Sequence, residues 1–384
     1  MLEKVERKEH FQKSGRILII ADARSPLSQE RGLVGLKGGY QIYWYSVTKA
    51  EFKGLSGGMA SRLSHLKWLP VLLSPLFLWR AIHHIRPDLI HAFYANQQAN
   101  TMVLSKFKPL ILTIMGGDVL PEQSFNGRRR WSIKKMLDSA DVITSKSIFI
   151  DAALNQIGNY AHKIRRVTWG VDIKQFHPGV EVDFLRQRWN IHPEDIVFLC
   201  PRICRPFYNK HLIIQAFANY IHQSGPRPKA TLIISELLAE ASYSKRLRTL
   251  AKELELMEHV RFVGTIPHQE MPAYFNLSDI MVAVPPSDGM PQSLYEAMAC
   301  GTYPVLGNLP QYQELVQDGV TSRLVKVGDV LPLSEAMSWA VAHPEQRKAA
   351  AMINRQRIME VADKDTQDQL VNSIYEELLQ KCPK

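Results

Sequence analysis

Long apolar runs are missing from this chain. Its most apolar stretch, WLPVLLSPLFLW (Trp68–Trp79), is interrupted by Pro70 and Pro75. As a helix it would reach roughly 18 Å, against a hydrocarbon core of about 30 Å, so it does not read as a membrane span. The first residues, MLEKVERKEHFQKSG, are charged throughout and lack the apolar segment of a signal peptide, so none is expected. Cysteine is scarce. Cys200, Cys204, Cys300 and Cys382 have neither zinc nor CxxC spacing; they read as reduced thiols of a cytoplasmic protein, two of them in core positions. Glycine and proline, 21 and 22 of 384 residues, are too few for a collagen-like or low-complexity chain. Acidic residues are outnumbered, 37 against 47 basic, for a net charge of +10.

What is present describes a folded protein: 46% hydrophobic and 22% charged residues, over a length that suggests two domains with separate cores. The charge is unevenly spread. Residues 1–178 hold 26 Lys and Arg against 13 Asp and Glu, or +13, and the remainder holds 21 against 24, or −3. A basic half suits nucleic acid, anionic lipid or a phosphorylated ligand, without choosing among them.

Short β-branched runs alternate with longer amphipathic ones. RILIIA (16–21), QIYWYS (41–46), DLIHAF (88–93), LILTI (110–114), DVITS (141–145) and IRRVT (164–168) have strand length, with helix-like segments between them such as 58–85 and 128–137. The rhythm resumes at DIVFLC (195–200) and runs through ATLIIS, HVRFVG, DIMVAV and TYPVLG. Such alternation predicts parallel sheets covered on both faces, that is, doubly wound α/β domains. Gly170, Pro178, Gly179 and Pro193 break it once, which sets the expected linker near Pro178–Gly179. The expected division is 15–178, 179–363 and a terminal helical segment 364–384.

The richest segment is VPPSDGMPQSLYEAMACGTYPVLGNLP (Val284–Pro310). A strand ends, a Pro/Gly/Ser/Asp loop follows, and a helix opens around Gln292–Ser293, with Ser293 and Glu296 in capping-box spacing. Two readings stand at this point: a well-capped helix, or a helix N-terminus whose amides over Gly289–Leu294 bind an anion. The segment closely resembles the nucleotide-sugar signature of retaining glycosyltransferases of family 4, the glycosyl transferases group 1 family. That signature has an acid, seven residues, then a glutamate leading an EAMACG-type helix. Asp288 and Glu296 occupy those places, with Asp where the family more often has Glu. RPFYNKHLIIQAF (205–217), SDIMVAV (278–284), GTIPHQEMPAYF (264–275), WGVDIKQFHP (169–178) and LTIMGGD (112–118) are similar to the same family in the same order.

The resemblance implies a GT-B fold: two Rossmann-like domains facing across a cleft, the second holding a nucleoside-diphosphate sugar and a terminal helix crossing back to the first. It implies that Arg202 and Lys210 grip the donor diphosphate, helped by the backbone of Gly289, Met290, Pro291, Gln292, Ser293 and Leu294. Glu296 would accept from the ribose hydroxyls and Asp288 from a sugar hydroxyl, with Tyr208 and Asn209 lining the donor site. No metal or other cofactor is implied, the sugar nucleotide being a co-substrate. On the acceptor side stand Gly117 and Asp118, at a strand end, and His91. Asp118 reads either as a group that holds or orients the acceptor or as a helix cap, and His91 as a site residue or a satisfied core histidine. Met115 stands where many relatives carry a His, so a role built on that His does not transfer.

Three other signals are set aside. Asp363-Lys364-Asp365 opens a polar helix and reads as its cap; His83-His84 has no third metal ligand; GRRRWSIKK (127–135) has no nucleic-acid fold beside it. The expected function is retaining, metal-independent transfer of a sugar from a nucleotide-sugar to a hydroxyl of a saccharide or lipid-linked acceptor, in cell-surface polysaccharide or lipopolysaccharide synthesis. The expected location is the cytoplasm, with the basic first domain against an anionic membrane surface. The alternatives are a GT-B nucleotide-sugar epimerase or phosphorylase, or a non-catalytic sugar-nucleotide-binding subunit.

Overall fold

The computed structural model describes residues 15–23, 25–46, 74–94, 106–120, 127–223 and 229–381. Much of the Trp68–Trp79 stretch, and Cys382, lie outside them. The chain divides into two compact units, one of residues 1–169 with 365–384, the other of residues 170–364.

In the first unit, strands β1 (Arg16–Ile20), β2 (Gln41–Tyr45), β3 (Leu89–Phe93), β4 (Leu110–Thr113), β5 (Val142–Ser145) and β6 (Ile164–Arg166) form one sheet in the order β2-β1-β3-β4-β5-β6. Every pairing is parallel. Because successive side chains point to opposite faces, alternate residues feed two cores. Leu18, Ile90, Leu112 and Ile143 pack under the helices Ser74–Ile85, Gly127–Ser139 and Ile148–Ile157. Ile17, Leu89, Ile111 and Val142 face the other way, onto the N-terminal helical turns and onto Val371, Ile374, Tyr375 and Leu378 of the last helix, Lys364–Lys381.

The second unit repeats the plan with β7 (Ile196–Cys200), β8 (Ala230–Ile234), β9 (Val260–Phe262), β10 (Ile280–Ala283), β11 (Tyr303–Gly307) and β12 (Arg323–Val325), in the order β12-β11-β10-β7-β8-β9. All five pairings are parallel. The doubly wound α/β expectation holds for both units, and eleven of the twelve strands match runs picked out in the sequence. The exception is β12, three residues at a sheet edge, two of them partly exposed, too short to make a pattern.

The passage between the units differs from the expected linker. It falls at Trp169–Gly170, and Pro178–Gly179 lies inside the second unit. The cause is anchoring on both sides of the polar stretch. Val171 N–H donates to Ala362 O at 2.7 Å, Phe176 is buried in the core, and Gly179 N–H donates to Asn276 Oδ1 at 2.8 Å. Gly170 sits at φ +58°, and a β-carbon there would lie 2.6 Å from the Lys364 Cα, so both backbone and space call for glycine.

Candidate functional site

In the second sheet the chain winds outward from β7 to β9, then returns to add β10 on the opposite side of β7. The carboxyl ends of β7 and β10 therefore flank the point where the winding reverses, the usual ligand crevice of an open α/β sheet. Arg202 follows β7, and the loop that carries Asp288 follows β10. Arg202 Nη2 donates to Asp288 Oδ2 at 2.6 Å, and Nη1 to Ser293 Oγ at 3.4 Å. The guanidinium also lies 5.0 Å from the centre of the Tyr208 ring. Its Nε has no partner among the described residues. Burial opposes the Arg202 charge, but Asp288, with Tyr312 and Tyr208, outweighs it and raises its pKa further.

Asn209 ties the two loops together. It closes the turn Pro206–Tyr208 in the left-handed region, φ +52°, and donates from Nδ2 to Val284 O at 2.9 Å. Met290, although not glycine, holds φ +86° with its side chain buried in the core. The helix Gln292–Cys300 then opens behind Pro291, and the amides of Gln292 and Ser293 have no acceptor among the described residues. Uncapped amides at a helix start favour an anion.

Several expectations are corrected here. Ser293 and Glu296 form no capping box, because Pro291 is the N-cap and Ser293 already lies inside the helix. Ser293 Oγ meets Arg202, and Glu296 Oε1 lies 3.2 Å from His268 Nε2. The Leu294 amide is taken by Pro291 O, and Pro291 has no N–H to give. Gly289 N–H is held by Asp288 Oδ1 at 2.7 Å, and Gln292 Nε2 reaches back to Gly170 O at 2.6 Å. Lys210 does not join Arg202 at an open surface. It is fully buried, its ammonium donating to Ser235 O at 2.5 Å and Cys200 O at 3.3 Å, at the ends of β8 and β7. Burial lowers its pKa.

At the carboxyl edge of the first sheet, Asp118 and His91 both turn inward. Asp118 is buried, and its carboxylate accepts from Met115 N at 3.1 Å and Gly116 N at 2.8 Å, closing its own loop. It is a backbone-fixing residue and does not present a carboxylate to an acceptor. His91 is also fully buried, between Tyr375 Oη and Thr113 Oγ1, each 2.7 Å from a ring nitrogen. Gly117 remains exposed, and a β-carbon there would come within 3.2 Å of Tyr94 Oη. Gln311, Tyr312 and His268 touch donor-side residues and were not singled out from the sequence. GTIPHQE carried His268, but only strand order brings the segment after β11 to Asp288.

Two family descriptions match the chain: Glycosyl transferases group 1 over residues 181–357, and Glycosyl transferase 4-like over residues 60–147. The fold and donor-side loops thus define a GT-B protein, and the chain belongs to the group 1 glycosyltransferases of family 4. It is 26% identical over 232 residues to a GDP-mannose-dependent alpha-(1-6)-phosphatidylinositol monomannoside mannosyltransferase of Mycolicibacterium smegmatis, covering 58% of each chain. It is 27% identical over 251 residues to a D-inositol 3-phosphate glycosyltransferase of Corynebacterium urealyticum, covering 63% of this chain and 58% of that one. The chain thus spans less than two thirds of the length of these relatives. Among solved structures it is similar to a sucrose-phosphate synthase from Thermosynechococcus elongatus, with a TM-score of 0.81, 17% identity and coverage of 96% and 100%. It is also similar to Anabaena HepE in complex with UDP-glucose, with a TM-score of 0.79, 19% identity and coverage of 94% and 100%. At these identities the likeness is one of fold.

Proposed function

We propose that this protein is a retaining, metal-independent glycosyltransferase that moves a sugar from a nucleoside-diphosphate donor to a hydroxyl of a saccharide or lipid-linked acceptor, in cell-surface polysaccharide or lipopolysaccharide synthesis. The observation that carries this reading is the Arg202 fork, fixed by Asp288 and Ser293 over Tyr208, beside the open amides of Gln292 and Ser293. As the glycosidic bond breaks, negative charge grows on the β-phosphate oxygen. A preorganised guanidinium and helix amides stabilise that charge more than they stabilise the intact donor. Glu296 accepts from the ribose hydroxyls, displacing His268 or sharing with it. Asp288 Oδ1, which accepts from the Gly289 amide, keeps a lone pair for a sugar hydroxyl. The departing phosphate takes the acceptor's proton as the new bond forms on the face it leaves. The relatives support a sugar-nucleotide donor: one is named for GDP-mannose and a structural neighbour binds UDP-glucose.

The test is turnover of a panel of UDP-, GDP- and ADP-sugars, with and without a chelator, in wild type, Arg202→Ala and Glu296→Ala. Arg202→Ala is expected to lower kcat by about 10²–10³-fold, and the chelator to change nothing. Full activity in Arg202→Ala would sink the assignment. Donor binding without turnover on any acceptor would favour a non-catalytic sugar-nucleotide-binding subunit.

The proposed setting is the cytoplasmic face of a membrane, with anionic lipid as partner of the first unit. The support is a shared face: the helices Ser74–Ile85 and Gly127–Ser139 cover the same side of the first sheet. Their outer surfaces carry exposed Leu76, Trp79 and Trp131 among Arg80, Arg128 and Lys135. No described helix is long and apolar enough to cross a membrane.

A further inference from the structure

Two side chains from the segment after β11 reach the donor-side acid from behind. Past Gly307 the chain reverses: Leu309 N–H donates to Gly307 O at 2.8 Å and Tyr312 N–H to Leu309 O at 3.0 Å. The turn brings Gln311 and Tyr312 against the loop after β10. Gln311 Nε2 donates to the backbone carbonyl of Asp288. The Tyr312 phenol donates to Asp288 Oδ2 at 3.0 Å, the same oxygen that receives Arg202 Nη2 at 2.6 Å.

Tyr312 is wholly buried and belongs to one of the two cores of the second unit, so packing fixes its ring and the ring fixes its hydroxyl. Asp288 has only two side-chain torsions. With Oδ1 on the Gly289 amide and Oδ2 on Tyr312, both torsions are determined, and the direction from which Arg202 must approach is determined with them. A neutral phenol suits this task, because a cation at the same place would compete with Arg202 for the carboxylate. Burial, then the Asp288 charge, pushes the phenol pKa well above its ordinary value, so it remains a donor through the neutral range.

We infer that Tyr312 is a positioning residue for the donor reaction, holding Asp288 Oδ2 so that Asp288 sets the angle of the Arg202 fork toward the diphosphate. The inference rests on the donor site proposed above. It is tested with Tyr312→Phe, which keeps the ring and removes the hydroxyl. The control is Tyr303→Phe, an equally buried tyrosine of the same unit whose hydroxyl has no partner among the described residues. Nucleotide release is measured with the panel of UDP-, GDP- and ADP-sugars, separating kcat from the donor KM. A misaimed charge partner is expected to lower kcat by about 10- to 100-fold, with the donor KM within about threefold and Tyr303→Phe at the wild-type rate. Wild-type kcat in Tyr312→Phe overturns the inference, as does an equal loss in Tyr303→Phe, which would signal general loosening of the core. Asp288→Asn separates the two levels. If it is impaired while Tyr312→Phe is not, only the positioning role fails; if it turns over at the wild-type rate, the donor-site reading fails too.

Discussion

A neutral imidazole has one nitrogen that donates and one that accepts, and His91 uses both. Its neighbours, Tyr375 Oη and Thr113 Oγ1, are hydroxyls that can take either role, and Thr113 passes the chain on to Thr144 Oγ1 at 2.6 Å. Protonation would place a charge in a site closed to solvent, and burial accordingly lowers the His91 pKa to about 3. An unfolded histidine titrates near 6.5, so between pH 6.5 and about 3 the unfolded chain binds the additional proton. Stability should fall as pH drops through that window, by at most about 1.4 kcal/mol per pH unit from this group. Urea unfolding from pH 7 to pH 4 should show a shallower decline in His91→Gln, which keeps a donor and an acceptor but does not titrate; equal slopes would refute the assignment. At this scale the sequence was legible where a residue's role depends on its own segment. Asp288 and Ser293 lie on one loop and the first turn of the helix it opens, and Arg202 joins them through a strand end that could be recognised. It was illegible for Lys210, which the family resemblance pairs with Arg202 but whose ammonium turns inward to two strand-end carbonyls.

At the scale of elements, strands were readable because parallel strands buried on both faces are almost continuously apolar. Their order was not, since nothing in DIVFLC or DIMVAV says that β7 will lie beside β10. Tyr312 and Gln311 were missed for that reason. The helix Gly127–Ser139 shows the opposite case. Its buried residues Ile133, Met136 and Leu137 make one stripe, and Arg128–Trp131, Lys134, Lys135 and Asp138 are exposed. Lys134 pairs with Asp138 and Arg130 reaches Gln156 O, and Arg128, Arg129 and Lys135 are exposed as well. A well-placed cation near an anionic lipid surface contributes roughly 1 kcal/mol. Partition onto phosphatidylserine-containing vesicles at low salt should fall several-fold when Arg128, Arg129 and Arg130 are all changed to Gln, and the difference should shrink as salt is raised. Unchanged partition would count against this helix as the contact.

At the scale of the molecule, the second unit is an insertion within the first. The chain enters it at Gly170 and leaves at Lys364. The entering and leaving segments are hydrogen-bonded to each other, Val171 N–H to Ala362 O at 2.7 Å and Lys364 N–H to Val171 O at 3.1 Å. The first unit, by contrast, closes one of its two cores with the last helix, through Val371, Ile374, Tyr375 and Leu378. A chain ended at Asp363 should therefore keep the second unit resistant to limited proteolysis while residues 1–169 become susceptible; protection of both would show that the last helix is dispensable.

The same closure fixes a sequence of events during synthesis. The strands of the first unit are synthesised before the second unit, yet one face of its sheet is only partly covered until the helix Lys364–Lys381 has left the ribosome. The second unit has all its strands by Val325, and its leaving end by Lys364, before that helix is complete. The unit whose synthesis starts first is thus the one whose folding finishes last. In the interval the exposed apolar face formed by Ile17, Leu89 and Ile111 is a natural substrate for a chaperone that holds nascent chains.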